Sequence, residues 1–220
     1  MTNLDRCYNI FDLREAAQRR LPKGIFEYVD KGTEDGFSLE ENRAAFQRIK
    51  LRTRFLNDWS KRDLGTEIFG KRIELPFGIA PTGSSGLMWY RGEVELARAA
   101  AEAGADGVIV SNHGGRAFDS AVATIDMLPE IVEAVGDRCT VILDSGIRRG
   151  SDILKALALG AKMVLVGRAT LYGTACGGQA GAARAIKILA DEMERAFGYV
   201  GARRISEIGP HIFARRDPGM

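Results

Sequence analysis

The sequence is poor in the side chains that build metal centres and disulfide frameworks. It has three cysteines, Cys7, Cys139 and Cys176, and two histidines, His113 and His211. An odd number of cysteines without metal-ligand spacing argues against a disulfide framework, and two histidines make a zinc site improbable. Free thiols are typical of a reducing compartment, so we expect a cytoplasmic protein that binds no metal.

An excess of one charge and long apolar runs are also absent. Thirty-one Lys and Arg against 29 Asp and Glu leave a net charge of +2, which gives no electrostatic reason to expect nucleic acid or an anionic membrane as a partner. No apolar run reaches the roughly 18 residues of a membrane span. The N-terminal residues lack the apolar core of a signal peptide. The sequence therefore predicts neither membrane insertion nor secretion.

The composition is that of an ordinary globular protein, 45% hydrophobic and 27% charged, and its pattern changes along the chain. Residues 1–74 are mainly helical in pattern, and Ser38 and Glu41 have the spacing of a capping box that opens a helix. Residues 75–220 alternate short apolar strands with helices, as parallel βα units do. We therefore predict an N-terminal helical segment over 1–74 and an α/β region over 75–220.

Four apolar strands are predicted in the second region, at 77–80, 108–111, 140–144 and 163–166. A weak repeat relates 104–110 to 160–166, since each stretch combines a helix end, a Gly-Ala turn and a buried strand. Repeated βα units build a (β/α)₈ barrel, but a complete barrel needs about 250 residues. The sequence therefore predicts an α/β protein with a TIM-barrel-type (β/α) fold, shortened to about half a barrel.

Each predicted strand ends in glycines and polar side chains, at 80–83, 111–116, 144–150 and 167–168. Strand ends of a parallel sheet gather at the edge where α/β proteins bind ligands. There His113 has an imidazole that exchanges a proton near neutral pH, and Arg116 has a planar guanidinium that can bind a carboxylate. The alternatives are a turn histidine bonded to backbone and a surface arginine.

The last two strand ends predict an anion site. Gly146 and Gly150 permit close backbone approach, Arg148 and Arg168 supply positive charge, and a helix opening at Ser151 would direct its amides at an anion. Barrels commonly bind phosphate after their seventh and eighth strands. A phosphate-bearing ligand is therefore expected here.

Together these segments resemble the FMN-dependent α-hydroxy acid dehydrogenase and oxidase family, which includes glycolate oxidase, lactate oxidase and mandelate dehydrogenase. The stretches that carry the resemblance are 21–28, 40–43, 75–83, 111–116, 144–150, 155–160 and 167–168. The most specific of them is Ser-Asn-His-Gly-Gly-Arg at 111–116. The resemblance covers essentially the whole chain. It implies FMN as cofactor and the oxidation of a small L-2-hydroxy acid to the 2-oxo acid, with oxygen, a quinone or a protein as electron acceptor.

The resemblance also implies a role for each matching residue. His113 is implied as the base that removes a proton from the 2-hydroxy acid. Tyr28 and Arg116 are implied to bind the substrate carboxylate. The residues implied to bind FMN are Ala80, Pro81, Thr82, Asp144, Gly146, Arg148, Gly167 and Arg168.

The chain departs from the family between its first and sixth strands. The predicted helix that ends near Gly104 runs directly into 105–108, which matches the approach to the sixth strand, so strands two to five have no counterpart. The family places a serine, a glutamine, a second tyrosine, a threonine, an aspartate and a lysine in that segment. Without the lysine, positive charge beside the reduced flavin is lost, and without the aspartate, His113 loses its orienting partner.

Strands one, six, seven and eight would still be neighbours, because the eighth strand of a closed barrel abuts the first. They would leave two open parallel edges, so we predict a homo-oligomer in which a two-fold dimer of half-barrels covers them. Three hypotheses remain: a working flavoenzyme, a non-catalytic flavin- or phosphate-binding half-barrel, and a deletion variant without turnover. Trp89 and Tyr90 either face an aromatic substrate or pack in the core or an interface.

Overall fold

The computed structural model describes residues 3–54, 62–80, 108–135 and 140–214. Its helices are α1 (Ile10–Arg20), α2 (Lys23–Asp30), α3 (Phe37–Arg48), α4 (Thr124–Val135), α5 (Gly150–Ala158) and α6 (Arg168–Val200). Its strands are β1 (Thr66–Ile68), β2 (Lys71–Ile73), β3 (Phe77–Ile79), β4 (Val108–Val110), β5 (Val141–Leu143) and β6 (Met163–Val166). Short 3₁₀ turns lie at Leu4–Arg6, Ile205–Glu207 and Pro210–Ile212. Among the described helices, none has the length and apolar character needed to cross a membrane.

The four predicted apolar strands form one parallel sheet in the order β3-β6-β5-β4. Phe77 of β3 lies opposite Val164 of β6, and Ile142 of β5 lies opposite both Met163 of β6 and Ile109 of β4. This is the order that barrel strands one, eight, seven and six would have. The prediction that these strands are neighbours is confirmed, and the sheet forms part of a barrel wall. The strands β1 and β2 form a separate antiparallel hairpin.

The core is densest around β5, β6 and the helices that cover them. Every residue of both strands is buried. Leu154 of α5 and Phe197 of α6 have no exposed surface, and each such side chain contributes about 1.5–3 kcal/mol through burial. Helix α1 buries Leu13 in the same core. The N-terminal segment and the sheet region therefore share one core, although the boundary near residue 75 stays a prediction.

Helix α6 is broken at Gly177 and Gly178, whose backbone angles are not helical. The segments on either side of the break touch, because a Cβ on Gly181 would lie 1.9 Å from the carbonyl oxygen of Gly173. Only glycine permits this backbone-to-backbone contact.

The capping box predicted at Ser38 and Glu41 is wrong. Helix α3 begins at Phe37 after Gly36, which is left-handed with φ 82°. Ser38 therefore lies inside the helix, and its N–H donates to the Asp119 carboxylate at 2.9 Å. A distant carboxylate, which local spacing does not reveal, caps this helix.

Candidate functional site

A cavity of about 140 Å³ opens at the carboxyl ends of the four parallel strands. All nine predicted site residues that the structure describes line it: Tyr28, Ala80, His113, Arg116, Asp144, Gly146, Arg148, Gly167 and Arg168. Pro81 and Thr82, predicted to bind FMN, lie outside the described residues, as do Trp89 and Tyr90.

Residues 111–116, named here the His113 loop, follow β4 in a left-handed conformation. His113, Gly114 and Gly115 have φ of 57°, 67° and 76°. This conformation costs a non-glycine residue roughly 1–2 kcal/mol, and Glu34, Phe69 and Ser145 share it, so the position of His113 at the cavity is what favours a functional role. The His113 N–H donates to Ser111 Oγ at 3.1 Å, and Ser111 Oγ donates to Asp144 Oδ2 at 2.7 Å.

A reciprocal amide pair ties the His113 loop to α3. Asn112 and Asn42 donate to each other's side-chain oxygen, both at 2.8 Å. The Asn112 amide also donates to the Val122 carbonyl at 3.2 Å, and its oxygen accepts the Gly115 N–H at 3.2 Å. Asn42 is only 1% exposed. The loop therefore rests on a buried polar support supplied by the N-terminal segment.

Tyr28 and Arg116 lie side by side at the mouth of the cavity. The Arg116 guanidinium lies 4.5 Å from the centre of the Tyr28 ring and donates to the Tyr28 carbonyl. Tyr28 is 45% exposed. The tertiary structure thus brings together the two side chains that were predicted to share a carboxylate.

The opposite end of the cavity, formed by 144–150 and 167–168 and named here the phosphate end, carries positive charge. Arg148 is buried and donates to the Ile147 carbonyl at 2.8 Å. Helix α6 starts after Gly167, and the first amides of a helix have no partner within it. A guanidinium and a helix N-terminus together favour an anion.

The Arg168 side chain faces backbone carbonyl groups. Its nitrogens donate to the carbonyls of Val29, Lys31 and Gly114 at 2.8, 2.9 and 2.7 Å. Burial, with help from the nearby Arg148 charge, lowers the pKa of Arg168 to about 10. Arg168 therefore remains a cation at neutral pH.

These groups fit FMN. Apolar side chains for a ring come from Ala80, Leu165 and Leu171, and Asp144 offers a carboxylate to sugar-like hydroxyls. Arg148 and the start of α6 suit a phosphate. Within the described ranges, no cluster of His, Cys, Asp or Glu is arranged to hold a metal ion.

Sequence reasoning assigned no role to Ser145, which joins the two ends of the cavity. Ser145 is left-handed with φ 83°, and its Oγ accepts the Gly114 N–H at 3.0 Å. Its place between Asp144 and Gly146 at a strand end was the available signal. That position alone does not reveal a contact 31 residues away.

The chain is similar to curated flavoenzymes. It is 26% identical to an L-lactate oxidase of Nostoc sp. over 358 residues, which covers 94% of this chain and 98% of that protein. It is 50% identical to the FMN-dependent alpha-hydroxy acid dehydrogenase qulF of Penicillium citrinum over 111 residues, 50% of this chain and 28% of that protein. A solved active mutant of (S)-mandelate dehydrogenase superposes with a TM-score of 0.90 at 26% identity, covering 95% of this chain and 99% of that one.

The alignment with the lactate oxidase has 358 positions and this chain has 220 residues, so more than a third of the alignment has no counterpart here. Because the alignment covers 98% of the relative, most of the missing part is internal. The profile of the family described as FMN-dependent dehydrogenase matches in two pieces, 17–105 and 97–215, which meet where the sequence predicts the gap. These two pieces span most of the sequence, and the chain belongs to the FMN-dependent dehydrogenase family.

Proposed function

We propose that this chain oxidises a small L-2-hydroxy acid to the 2-oxo acid, with FMN bound in the cavity. The observation that carries the proposal is that one cavity joins an imidazole and a Tyr–Arg pair to an anion-binding end. FMN, when bound, supplies the two-electron oxidant. His113 takes a proton from the 2-hydroxy acid on an imidazole nitrogen, as a general base does.

The substrate carboxylate binds at the mouth of the cavity. Arg116 offers a charge-assisted hydrogen bond, which is about twice as strong as a neutral one, and the adjacent Tyr28 hydroxyl offers a second donor. Holding the carboxylate at two points directs C2 of the acid towards the imidazole of His113. Such positioning lowers the entropy cost of the chemical step.

The phosphate end holds the cofactor. Arg148 and the first amides of α6, after Gly167, bind the phosphate, and Asp144 accepts hydrogen bonds from the ribityl hydroxyls. Ala80 and Gly146 lie along the cofactor. Pro81 and Thr82 remain predicted ring contacts.

An anaerobic visible spectrum tests the proposal. We expect the flavin band of the FMN-loaded protein to bleach on addition of one or more acids from a panel that includes L-lactate, L-mandelate and glycolate. His113→Asn should slow bleaching about 100-fold or more and leave FMN binding nearly unchanged. The matched control His211→Asn alters an exposed histidine outside the cavity. Equal bleaching rates in both variants would contradict the role of His113.

The second candidate is a non-catalytic flavin-binding half-barrel, which the size of the missing internal segment favours. It predicts that the flavin absorption band persists when any of the 2-hydroxy acids in the panel is added. A protein that takes up no FMN would indicate that the missing strands are indispensable and would support a variant without turnover. The electron acceptor is open to oxygen, a quinone or a protein.

We propose further that the chain is a homo-oligomer. In the described sheet, β3 and β4 each pair on one side only, and Ile109 of β4 is 44% exposed. Open strand edges and exposed apolar side chains favour association with a second copy. Sedimentation should therefore detect a dimer or larger species, and a stable monomer at micromolar concentration would contradict this.

A cytoplasmic location stays a proposal that rests on free thiols. Cys7 and Cys176 are buried and unpaired with each other, and burial raises the pKa of Cys176 to about 12. Such thiols are unreactive and typical of a reducing compartment.

A further inference from the structure

Arg168 connects the end of α2 to the His113 loop through three backbone carbonyls. Its Nε donates to Val29, its Nη2 to Lys31 and its Nη1 to Gly114. Arg168 is 8% exposed. The first two carbonyls lie at the end of α2 and the third lies in the His113 loop, so one guanidinium connects segments more than 50 residues away in sequence.

The residues beside these carbonyls are the predicted substrate-binding groups. Val29 directly follows Tyr28, and Gly114 directly follows His113. We propose that Arg168 is a positioning residue that fixes Tyr28 against the His113 loop, and that its side chain is not a ligand of the FMN phosphate. This inference rests on the proposed function, because the groups it positions are those assigned to the 2-hydroxy acid.

Two further contacts support this role. A Cβ on Gly114 would lie 2.6 Å from Arg168 Nη1, so the guanidinium packs directly on the loop backbone. The Thr33 N–H donates to the Gly115 carbonyl at 3.0 Å. This is a second hydrogen bond between the chain that follows α2 and the His113 loop. The phosphate is then held by Arg148, which bonds the Ile147 carbonyl through one nitrogen, and by the amides of α6 that precede Thr170, whose own N–H donates to the Gly167 carbonyl. The resemblance implied a phosphate role for the segment 167–168, and that role then belongs to its backbone.

Lysine cannot reproduce the Arg168 contacts. The planar guanidinium offers five N–H donors in a fixed fork, and here three different nitrogens reach three different carbonyls. An ammonium places all its donors on one atom. Arg168→Lys thus keeps the positive charge but cannot form the three hydrogen bonds to three separate carbonyls. The matched control is Arg184→Lys, because Arg184 also donates to a backbone carbonyl, that of Cys7, but does not line the cavity.

Hydrogen exchange of the full chain with FMN added is the first test. Arg168→Lys should speed exchange at the Thr33 and Gly115 amides about tenfold or more, since losing a hydrogen bond to a charged group has effects of that size. Arg184→Lys should leave both amides unchanged. Unchanged exchange in Arg168→Lys would overturn the inference, and this readout requires no turnover.

Flavin affinity is the second test. If Arg168 is a positioning residue, Arg168→Lys should keep the ratio of FMN to riboflavin affinity within about threefold of the parent. Its KM for the 2-hydroxy acid should rise about tenfold, with a smaller change in kcat. A fall of tenfold or more in the FMN-to-riboflavin ratio would mean that the side chain binds phosphate, and would overturn the inference.

Gly114→Ala is a second variant in case Arg168→Lys does not fold. Its new Cβ displaces the guanidinium and leaves every charge in place, but it also strains a left-handed backbone position, so the decisive outcome is unchanged exchange. The same amides should exchange faster, and unchanged exchange would contradict the inference. If the parent shows no turnover with any acid, the proposed function fails, whereas the exchange result still decides the role of Arg168.

Discussion

The phosphate end of the cavity stands on the most deeply buried part of the molecule, whereas the His113 loop is held mainly by polar contacts. Residues 144–150 follow β5, residues 167–168 follow β6, and both strands are buried along their whole length. The His113 side chain is exposed. Its loop is held by the amide pair of Asn42 and Asn112, by Ser145 and by Arg168.

This difference separates two kinds of mutational effect. Apolar packing is dense and responds to added volume by strain, so changes at the phosphate end should affect the stability of the whole domain. Removing one partner of a buried hydrogen bond costs about 1–3 kcal/mol, so changes around the His113 loop should alter its geometry and leave the sheet folded. The predictions for Gly150 and Asn42 test that separation directly, and those for Arg148 and Asp30 test charged contacts beside it.

The largest expected effect is at Gly150, the first residue of α5. A Cβ there would lie 2.1 Å from the Met193 backbone nitrogen, so α5 and α6 would have to separate. Gly150→Ala should destabilise the fold by about 3 kcal/mol or prevent folding. Urea unfolding with a constant m value measures the loss.

Gly24→Ala is the matched control, because a Cβ on Gly24 meets nothing within 4 Å. It should be neutral or stabilise α2 by up to about 1 kcal/mol. Equal unfolding midpoints for Gly150→Ala and Gly24→Ala would show that the phosphate end is not tightly packed.

Asn42→Ala should cost about 2 kcal/mol, because it leaves the Asn112 amide without its buried partner. We expect the His113 loop to exchange its amides faster while β5 and β6 stay protected. A double-mutant cycle that combines Asn42→Ala with Asn112→Ala should give a coupling energy of about 1–2 kcal/mol. Additive losses would mean that the amide pair does not act as a unit.

Arg148→Met should weaken FMN binding about tenfold or more and leave riboflavin binding nearly unchanged, because a charge-assisted hydrogen bond to phosphate is lost. Fluorescence titration with both flavins measures the two affinities. The control Arg149→Met changes an exposed arginine that pairs with Glu192. A parallel loss for FMN and riboflavin would contradict a phosphate contact.

The smallest expected effect concerns Asp30. It lies in sequence between Val29 and Lys31, whose carbonyls accept hydrogen bonds from Arg168. Burial alone would raise the pKa of Asp30, but hydrogen bonds from Arg14 and Tyr172 outweigh it and lower that pKa below 3.8. The resulting stability is present above the unfolded pKa of about 4 and is lost as pH falls through the lower folded pKa.

Asp30→Asn should therefore cost about 1–2 kcal/mol at pH 7, and the cost should shrink as pH falls from about 5 to 2. Unfolding measured across this range tests the sign. The control Asp63→Asn removes an exposed pair with Arg72 and should change stability by less than about 1 kcal/mol. A cost for Asp30→Asn that is independent of pH would contradict the assignment.

The strands and the members of the cavity were accessible from sequence because both depend on local pattern. Each predicted strand agrees with the observed one to within a residue at either end, since short apolar runs between turn residues have few alternatives. The strand ends then had to gather at one edge. This is why His113 and Arg148 line one cavity although they come from different strands.

The contacts that position the side chains of the cavity could not be predicted from the sequence. Ser38 has the spacing of a capping box, yet it lies inside α3 and meets Asp119. Arg168 lies at a strand end, where a phosphate ligand is expected, yet its nitrogens donate to backbone carbonyls. An N–H group donates to any correctly placed oxygen, so local sequence cannot specify which oxygen accepts its hydrogen bond.

The sequence by itself determined the α/β class, the half-barrel and the chemical groups at each strand end, because periodicity and short motifs encode them locally. Only the tertiary structure decided that Asn42 supports Asn112 and that Arg168 joins Val29 to Gly114. These pairs are 54 to 139 residues apart in sequence. They exist because packing of the apolar core brings distant backbone and side-chain polar groups within hydrogen-bonding distance and excludes the water that would otherwise satisfy them.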